Sequence, residues 1–145
     1  MGMYQDVSVG EVIVTPGKTI TEAAADIMTG FGGYIVPMFN DNEWAKKNTP
    51  FGGVIVPGEM TLFYMGGLAE LSGRFDETVI ALVGIDKVRF KTPVRPGDTV
   101  HLEMLIANKR LTSKGDKGLI TFGWTCKNQD NDVVAEAEAT LMFKA

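Results

Sequence analysis

From Phe51 to Leu71 the chain carries only two charged residues: Phe-Gly-Gly-Val-Ile-Val-Pro-Gly-Glu-Met-Thr-Leu-Phe-Tyr-Met-Gly-Gly-Leu-Ala-Glu-Leu. Gly52, Gly53 and Pro57-Gly58 mark a turn, and the residues after it predict a helix of about four turns, apolar on nearly every side. Such a helix has to be wrapped by other elements. Beyond Gly73 the period changes. Val79, Ala81, Val83 and Ile85 alternate with more exposed positions, then Val88 and Phe90 take the opposite parity, which predicts a β-bulge near Asp86-Lys87. Further strands are expected over Val100 to Ile106, Leu119 to Cys126 and Val133 to Phe143. In the last of these, Val133, Ala135, Ala137, Ala139, Leu141 and Phe143 share one face, and Glu136 and Glu138 the other. Turn chemistry separates them at Thr92 to Asp98, Ser113 to Lys117 and Asn128 to Asp132.

The first fifty residues are less regular. Tyr4 to Val14 reads as an extended entry, with Gly10 and Gly17 marking turns. Thr19-Ile20-Thr21-Glu22 has capping-box spacing and predicts a helix start over Ala23 to Met28, ended by Gly30, Gly32 and Gly33. A loop is expected over Tyr34 to Asn40, then a short helix over Asp41 to Lys47 with Asp41 as N-cap and Trp44 as anchor. Val54-Ile55-Val56 is strand-like. One long apolar helix followed by at least four antiparallel strands is an α+β pattern, a sheet folded around a central helix, with residues 1–145 as a single domain. The open sheet edges make a homodimer or higher homo-oligomer the natural completion.

Composition narrows the function classes. The 145 residues carry a formal net charge of −4, and no lysine or arginine block appears, which argues against nucleic acid or anionic membrane as the main partner. Cys126 is the only cysteine, so no intrachain disulfide can form and a reducing compartment is expected. No apolar run of signal-peptide length opens the chain, and the stretch from Met60 to Leu71 is too short to span a bilayer. These features predict a cytoplasmic protein.

The segments Val9-Gly10-Glu11, Ile20-Thr21-Glu22, Phe51-Gly52 with Ile55-Val56-Pro57-Gly58, Arg89-Phe90, Pro93-Val94 and Pro96-Gly97-Asp98-Thr99 together span nearly the whole chain. They resemble the MaoC-like dehydratases of the hot-dog fold, a family that includes the R-specific enoyl-CoA hydratases. The resemblance implies an antiparallel sheet wrapped around the central helix and a CoA or carrier-protein acyl thioester as substrate, with no separate cofactor. Active members carry Asp-x-Asn-Pro-x-His shortly before Phe-Gly. The matching string here is Tyr34-Ile35-Val36-Pro37-Met38-Phe39, with Tyr34 at the Asp position, Val36 at the Asn position and Phe39 at the His position. Pro57 replaces the usual helix-start histidine.

Hydration of an enoyl thioester requires a base toward water, an acid toward the α-carbon, and N–H donors toward the thioester oxygen. Gly58 at the helix start is the candidate for the last role, with Pro57, Asn40 and Phe39 as substrate-binding neighbours. Phe39 cannot move a proton, so the catalytic candidates become Glu59, as a partly buried carboxylate of raised pKa, and Tyr34. Glu59 also suits a first-turn acid favouring the helix dipole, Tyr34 suits loop packing, and Asn40 suits a turn. Met38, Met60, Met65 and Phe63 fit either core packing or an acyl tunnel. Lys46, Lys47, Arg89 and Lys91 read as surface charge within reach of CoA phosphates. His101, the only histidine, shares strand parity with Glu103 and reads as a solvated surface residue, so no His/Cys metal site is expected. Three functions remain open: a (de)hydratase with a rebuilt acid/base set, a non-catalytic acyl-CoA-binding or partner-assembling domain, and a thioesterase using Glu59.

Overall fold

Four long antiparallel strands dominate the computed structural model, which describes residues 2–145. They are β3 (Val79–Phe90), β4 (Thr99–Leu111), β5 (Lys117–Lys127) and β6 (Val133–Lys144). With β1 (Val12–Val14) they form a sheet in the order β1-β4-β5-β6-β3, and β2 (Lys18–Thr19) adds to β4. Leu102, Met104 and Ile106 of β4, Phe122 and Trp124 of β5, and Ala135, Ala137 and Ala139 of β6 all turn to one buried face. Helix α5 (Gly58–Leu71) lies on that face and buries Met60, Thr61, Met65, Leu68 and Ala69, a stripe at near four-residue spacing. The three alanines of β6 leave room for the helix, and Phe75, just beyond it, packs its ring 5.7 Å from Phe122 and 5.9 Å from Phe143. This is the α+β hot-dog arrangement that the sequence implied.

The sheet covers one side of α5 only. Glu59, Phe63, Gly67, Glu70 and Leu71 face outward, with Phe63 70% and Leu71 51% exposed, so the wrapping expected for an all-apolar helix is half complete in one chain. The edge strand β3 departs further from the expected alternation: Leu82 and Val83 are 53% and 55% exposed. Its register against β6 shifts at three places, between Val79 and Ala81, between Leu82 and Gly84, and between Asp86 and Arg89. The third is the bulge read from the parity switch, where Lys87 takes φ +53°. A further shift between Cys126 and Lys127 turns Val134 inward, 1% exposed, and leaves Val133 half-buried.

The N-terminal elements differ more. Met3–Asp6 is a short helix, α1, inside the segment expected to be extended, and Lys109 Nζ donates to the Val7 carbonyl at 2.8 Å just beyond its end. Helix α2 (Glu22–Gly32) is capped by Thr21, whose hydroxyl accepts from Ala24 N–H at 3.0 Å; Thr19 instead hydrogen-bonds Thr99 across the β2–β4 pair. The helix runs through Gly30 and Gly32 and ends at Gly33, the residue that reaches the left-handed region (φ +81°). Inside the expected loop lies α3 (Pro37–Asn40), with Pro37 pre-setting its first turn. Asp41 caps α4 (Asn42–Asn48) by accepting from Trp44 N–H at 2.9 Å, but the fully buried anchor is Ala45, and Trp44 is 40% exposed. Val54 to Val56 joins no strand; Val56 N–H donates to Val94 O at 2.7 Å and ties the approach of α5 to the turn after β3. No helix among the described residues is long and apolar enough to cross a membrane.

Candidate functional site

The cap of α2 delivers Tyr34 to the start of α5. Gly33 reverses the chain, Tyr34 N–H reaches back to the Thr29 carbonyl (2.8 Å), and the phenol then points at the first turn of α5. There the Tyr34 hydroxyl donates to Glu59 Oε2 at 2.6 Å. The Phe39 ring stands edge-on to Tyr34, with centroids 5.7 Å apart and planes at 84°.

At the helix start, Met60 and Thr61 N–H both return to the Pro57 carbonyl (3.0 and 3.2 Å). Gly58 N–H makes no backbone hydrogen bond among the described residues and is left as a donor at the positive end of the helix. The Phe90 ring lies directly over Gly58: a Cβ there would fall 2.9 Å from its Cζ. Two hollows open here and Glu59 belongs to both. One, of about 340 Å³, is walled by Phe51, Gly58, Thr61, Phe90 and Val94. The other, of about 220 Å³, is walled by Met28, Phe31, Tyr34, Pro57 and Phe63. Met28 and Phe63 also border a further apolar groove running beside α5 past Tyr64, Gly67 and Leu71.

The electrostatics of the pair correct one expectation. Glu59 is exposed, and the Tyr34 hydroxyl, then its own backbone N–H, hold its carboxyl below the usual carboxylate range; burial opposes them weakly. The raised pKa expected of a partly buried carboxylate is absent because one chain leaves the helix start open to water. Tyr34 moves the other way, pushed above the ordinary phenol range first by its hydrogen bond to the carboxylate. At neutral pH the pair is therefore a carboxylate acceptor held by a phenol donor.

Of the sequence candidates, Glu59, Tyr34, Gly58 and Pro57 come together. Phe39 touches the group through Tyr34, but it and Asn40 line a separate, polar hollow with Asn42, Gly52, Gly53 and Arg95. Phe90 and Arg95 are wall residues that were not among the sequence candidates. Phe90 had a signal in the parity switch beyond the bulge; Arg95 looked like part of an ordinary turn. Met60 and Met65 are core, 4% and 0% exposed, whereas Phe63 borders the grooves. His101 pairs with Glu103 at 3.3 Å and stands apart from the site.

The matches to known proteins cover these elements. The MaoC like domain model matches residues 6–127. The 3-hydroxyacyl-[acyl-carrier-protein] dehydratase FabZ of Syntrophotalea carbinolica is 33% identical over 107 residues, 66% of this chain and 68% of that protein. The bifunctional enzyme LpxC/FabZ of Chlorobaculum tepidum is 40% identical over 76 residues, 45% of this chain, and the match spans only 16% of its length. Among solved structures, the monoamine oxidase regulatory protein from Archaeoglobus fulgius superposes with a TM-score of 0.86 at 28% identity, over 97% of this chain and 93% of that one. A central helix opening at Pro57-Gly58, the sheet that half-encloses it, and a family match running from α1 to the end of β5 lead to one conclusion: the chain belongs to the MaoC-like domain family.

Proposed function

We propose that the protein is a hydro-lyase that adds water to, or removes it from, an acyl thioester of CoA or a carrier protein, and that it uses Glu59 and Tyr34 in place of the family's Asp and His. The observation that carries this reading is the 2.6 Å hydrogen bond joining these two side chains at the helix start, beside the Gly58 N–H, which makes no backbone hydrogen bond among the described residues. The family membership and the dehydratase relative support the reaction class.

In the dehydration direction, the thioester carbonyl accepts from Gly58 N–H, which stabilises charge developing on its oxygen as the α-proton leaves. The Glu59 carboxylate takes that proton. The β C–O bond then breaks, and the departing hydroxide takes the proton back from the Glu59 carboxylic acid to leave as water. Tyr34 keeps the carboxylate oriented and ionised before each turn of the cycle. Hydration runs the same steps in reverse. The exposed outer face of α5 and the unpaired edge of β3, with Phe63, Leu82 and Val83 in water, support a homodimer that closes the site and excludes solvent.

The test is incubation with a panel of enoyl- and 3-hydroxyacyl-thioesters followed by mass spectrometry. Gain or loss of one water with the thioester intact is expected. Free thiol release would instead indicate a thioesterase, a reading that the ionised carboxylate at the helix start also favours. Glu59→Gln is expected to abolish turnover and keep the wild-type circular dichroism spectrum; full activity in that variant removes Glu59 from the mechanism.

A further inference from the structure

The polar hollow of about 320 Å³ lined by Asn42, Gly52, Gly53 and Arg95 adjoins the Tyr34–Glu59 pair through a single ring, Phe39. Its floor is fixed by its backbone. The turn after β3 is closed by the Asp98 carboxylate, which accepts from Arg95 N–H at 2.9 Å, and it is stitched to the approach of α5 by the Val56–Val94 hydrogen bond. The Arg95 guanidinium makes no ion pair and no side-chain hydrogen bond among the described residues. It lies along the glycine turn instead: a Cβ at Gly52 would stand 4.0 Å from both terminal nitrogens, and one at Gly53 would stand 3.8 Å from Nη1. A Cβ at Gly53 would also fall 2.8 Å from Asn42 Oδ1, so a glycine keeps this wall open.

Asn42 adds a second donor. Its Oδ1 accepts from Val54 N–H at 3.1 Å, which fixes the amide orientation and leaves Nδ2 as the free end. Glu22 and Asp26 of α2 also line the hollow and close no ion pair with Arg95, so an anion bound here is drawn to the guanidinium and repelled by these two carboxylates. A planar guanidinium fork with an amide N–H beside it is donor chemistry for a carboxylate or a phosphate.

Building on the thioester function above, we propose that Arg95, with Asn42, forms a binding subsite for an oxyanionic group of the substrate, either a carboxylate at the far end of the acyl chain or a phosphate of the pantetheine-bearing carrier. The site accordingly discriminates among thioesters by charge as well as by the size of the apolar groove.

The test uses saturated thioesters, which cannot be hydrated, so that binding is measured apart from turnover. Butyryl-CoA, butyryl-pantetheine and glutaryl-pantetheine are titrated calorimetrically into wild type, Arg95→Gln and Arg95→Lys, with thermal melts to check folding. Arg95→Gln is expected to weaken one charged ligand by about tenfold or more, the scale of a charge-assisted hydrogen bond, and to leave butyryl-pantetheine unchanged. Arg95→Lys should recover part of the loss. A loss confined to butyryl-CoA assigns the phosphate; a loss on glutaryl-pantetheine assigns the acyl carboxylate. Equal affinities in wild type and Arg95→Gln, an equal loss on all three ligands, or wild type binding none of them overturns the subsite. Enoyl-thioester turnover by wild type, measured on the same samples, tests the hydro-lyase function independently.

Discussion

Gly58→Ala adds one methyl group at the point where α5, Glu59 and Phe90 meet. The new Cβ would lie 2.9, 3.0 and 3.1 Å from three carbons of the Phe90 ring. Carbon atoms rest at about 3.5 Å or more, so the ring must retreat by about 0.5 Å. Phe90 is 52% exposed and can swing outward, at a cost of about 0.5–1.5 kcal/mol for leaving its rotamer well and up to about 3 kcal/mol if it cannot. Alanine's better helix propensity returns less than about 1 kcal/mol at a first-turn position. The expected net loss is therefore about 1 kcal/mol, or a melting temperature lower by roughly 2–4 °C. The decisive assay is a double-mutant cycle in urea with Gly58→Ala, Phe90→Leu and the pair. If the methyl meets the ring, the pair is more stable than the two single losses predict, by about 1 kcal/mol. Additivity within about 0.3 kcal/mol would mean that the methyl group and the ring do not touch.

Tyr34→Phe removes the donor that holds Glu59 ionised, so the Glu59 carboxyl should titrate at higher pH in the variant, by carbon-detected NMR. The sign follows from linkage. The folded pKa of Glu59 is depressed, so its stabilisation is present above the ordinary carboxylate range and fades as pH falls through the folded value. The acid limb of kcat/KM should therefore shift to higher pH in Tyr34→Phe; coincident limbs would take Tyr34 out of the pair. Trp124 is 3% exposed and its Nε1 has no acceptor among the described residues, so Trp124→Phe removes an unpaired donor along with part of a ring. Relief of about 1–3 kcal/mol offsets the lost packing, and stability by denaturant titration should stay within about 1 kcal/mol of wild type; a loss above about 3 kcal/mol would reveal a partner for the indole N–H.

Local signals served best where one residue type decides the geometry. Gly33 is the left-handed cap that ends α2, while Gly30 and Gly32 adopt ordinary helical angles, so counting glycines ended the helix too soon. The Asp41 cap and the Lys87 bulge were legible for the same local reason. In the candidate site, Glu59 and Gly58 could be found because a charge and a glycine interrupt an apolar helix start. Phe90 carried only the parity switch beyond the bulge, which marks a strand face and not a wall of the site, and Arg95 sits in a turn whose local chemistry is ordinary.

The α+β class, the four long strands β3 to β6, the apolar helix before them and a family resemblance spanning nearly every element were all legible in the sequence, whereas β2 was not and Val54 to Val56 was misread as strand-like. Those properties follow from periodicity, turn residues and motif spacing, which act between neighbours in sequence. Long-range packing alone brings Tyr34 and Glu59, 25 residues apart, into one hydrogen bond, pushes Glu59 toward ionisation, and lays Arg95 beside Gly52 with no ion pair among the described residues. Each of these depends on which groups long-range packing brings within a few ångströms, and on how much water that packing leaves around them. Distance and solvation set the electrostatics of a site, and neither is written in the local order of residues.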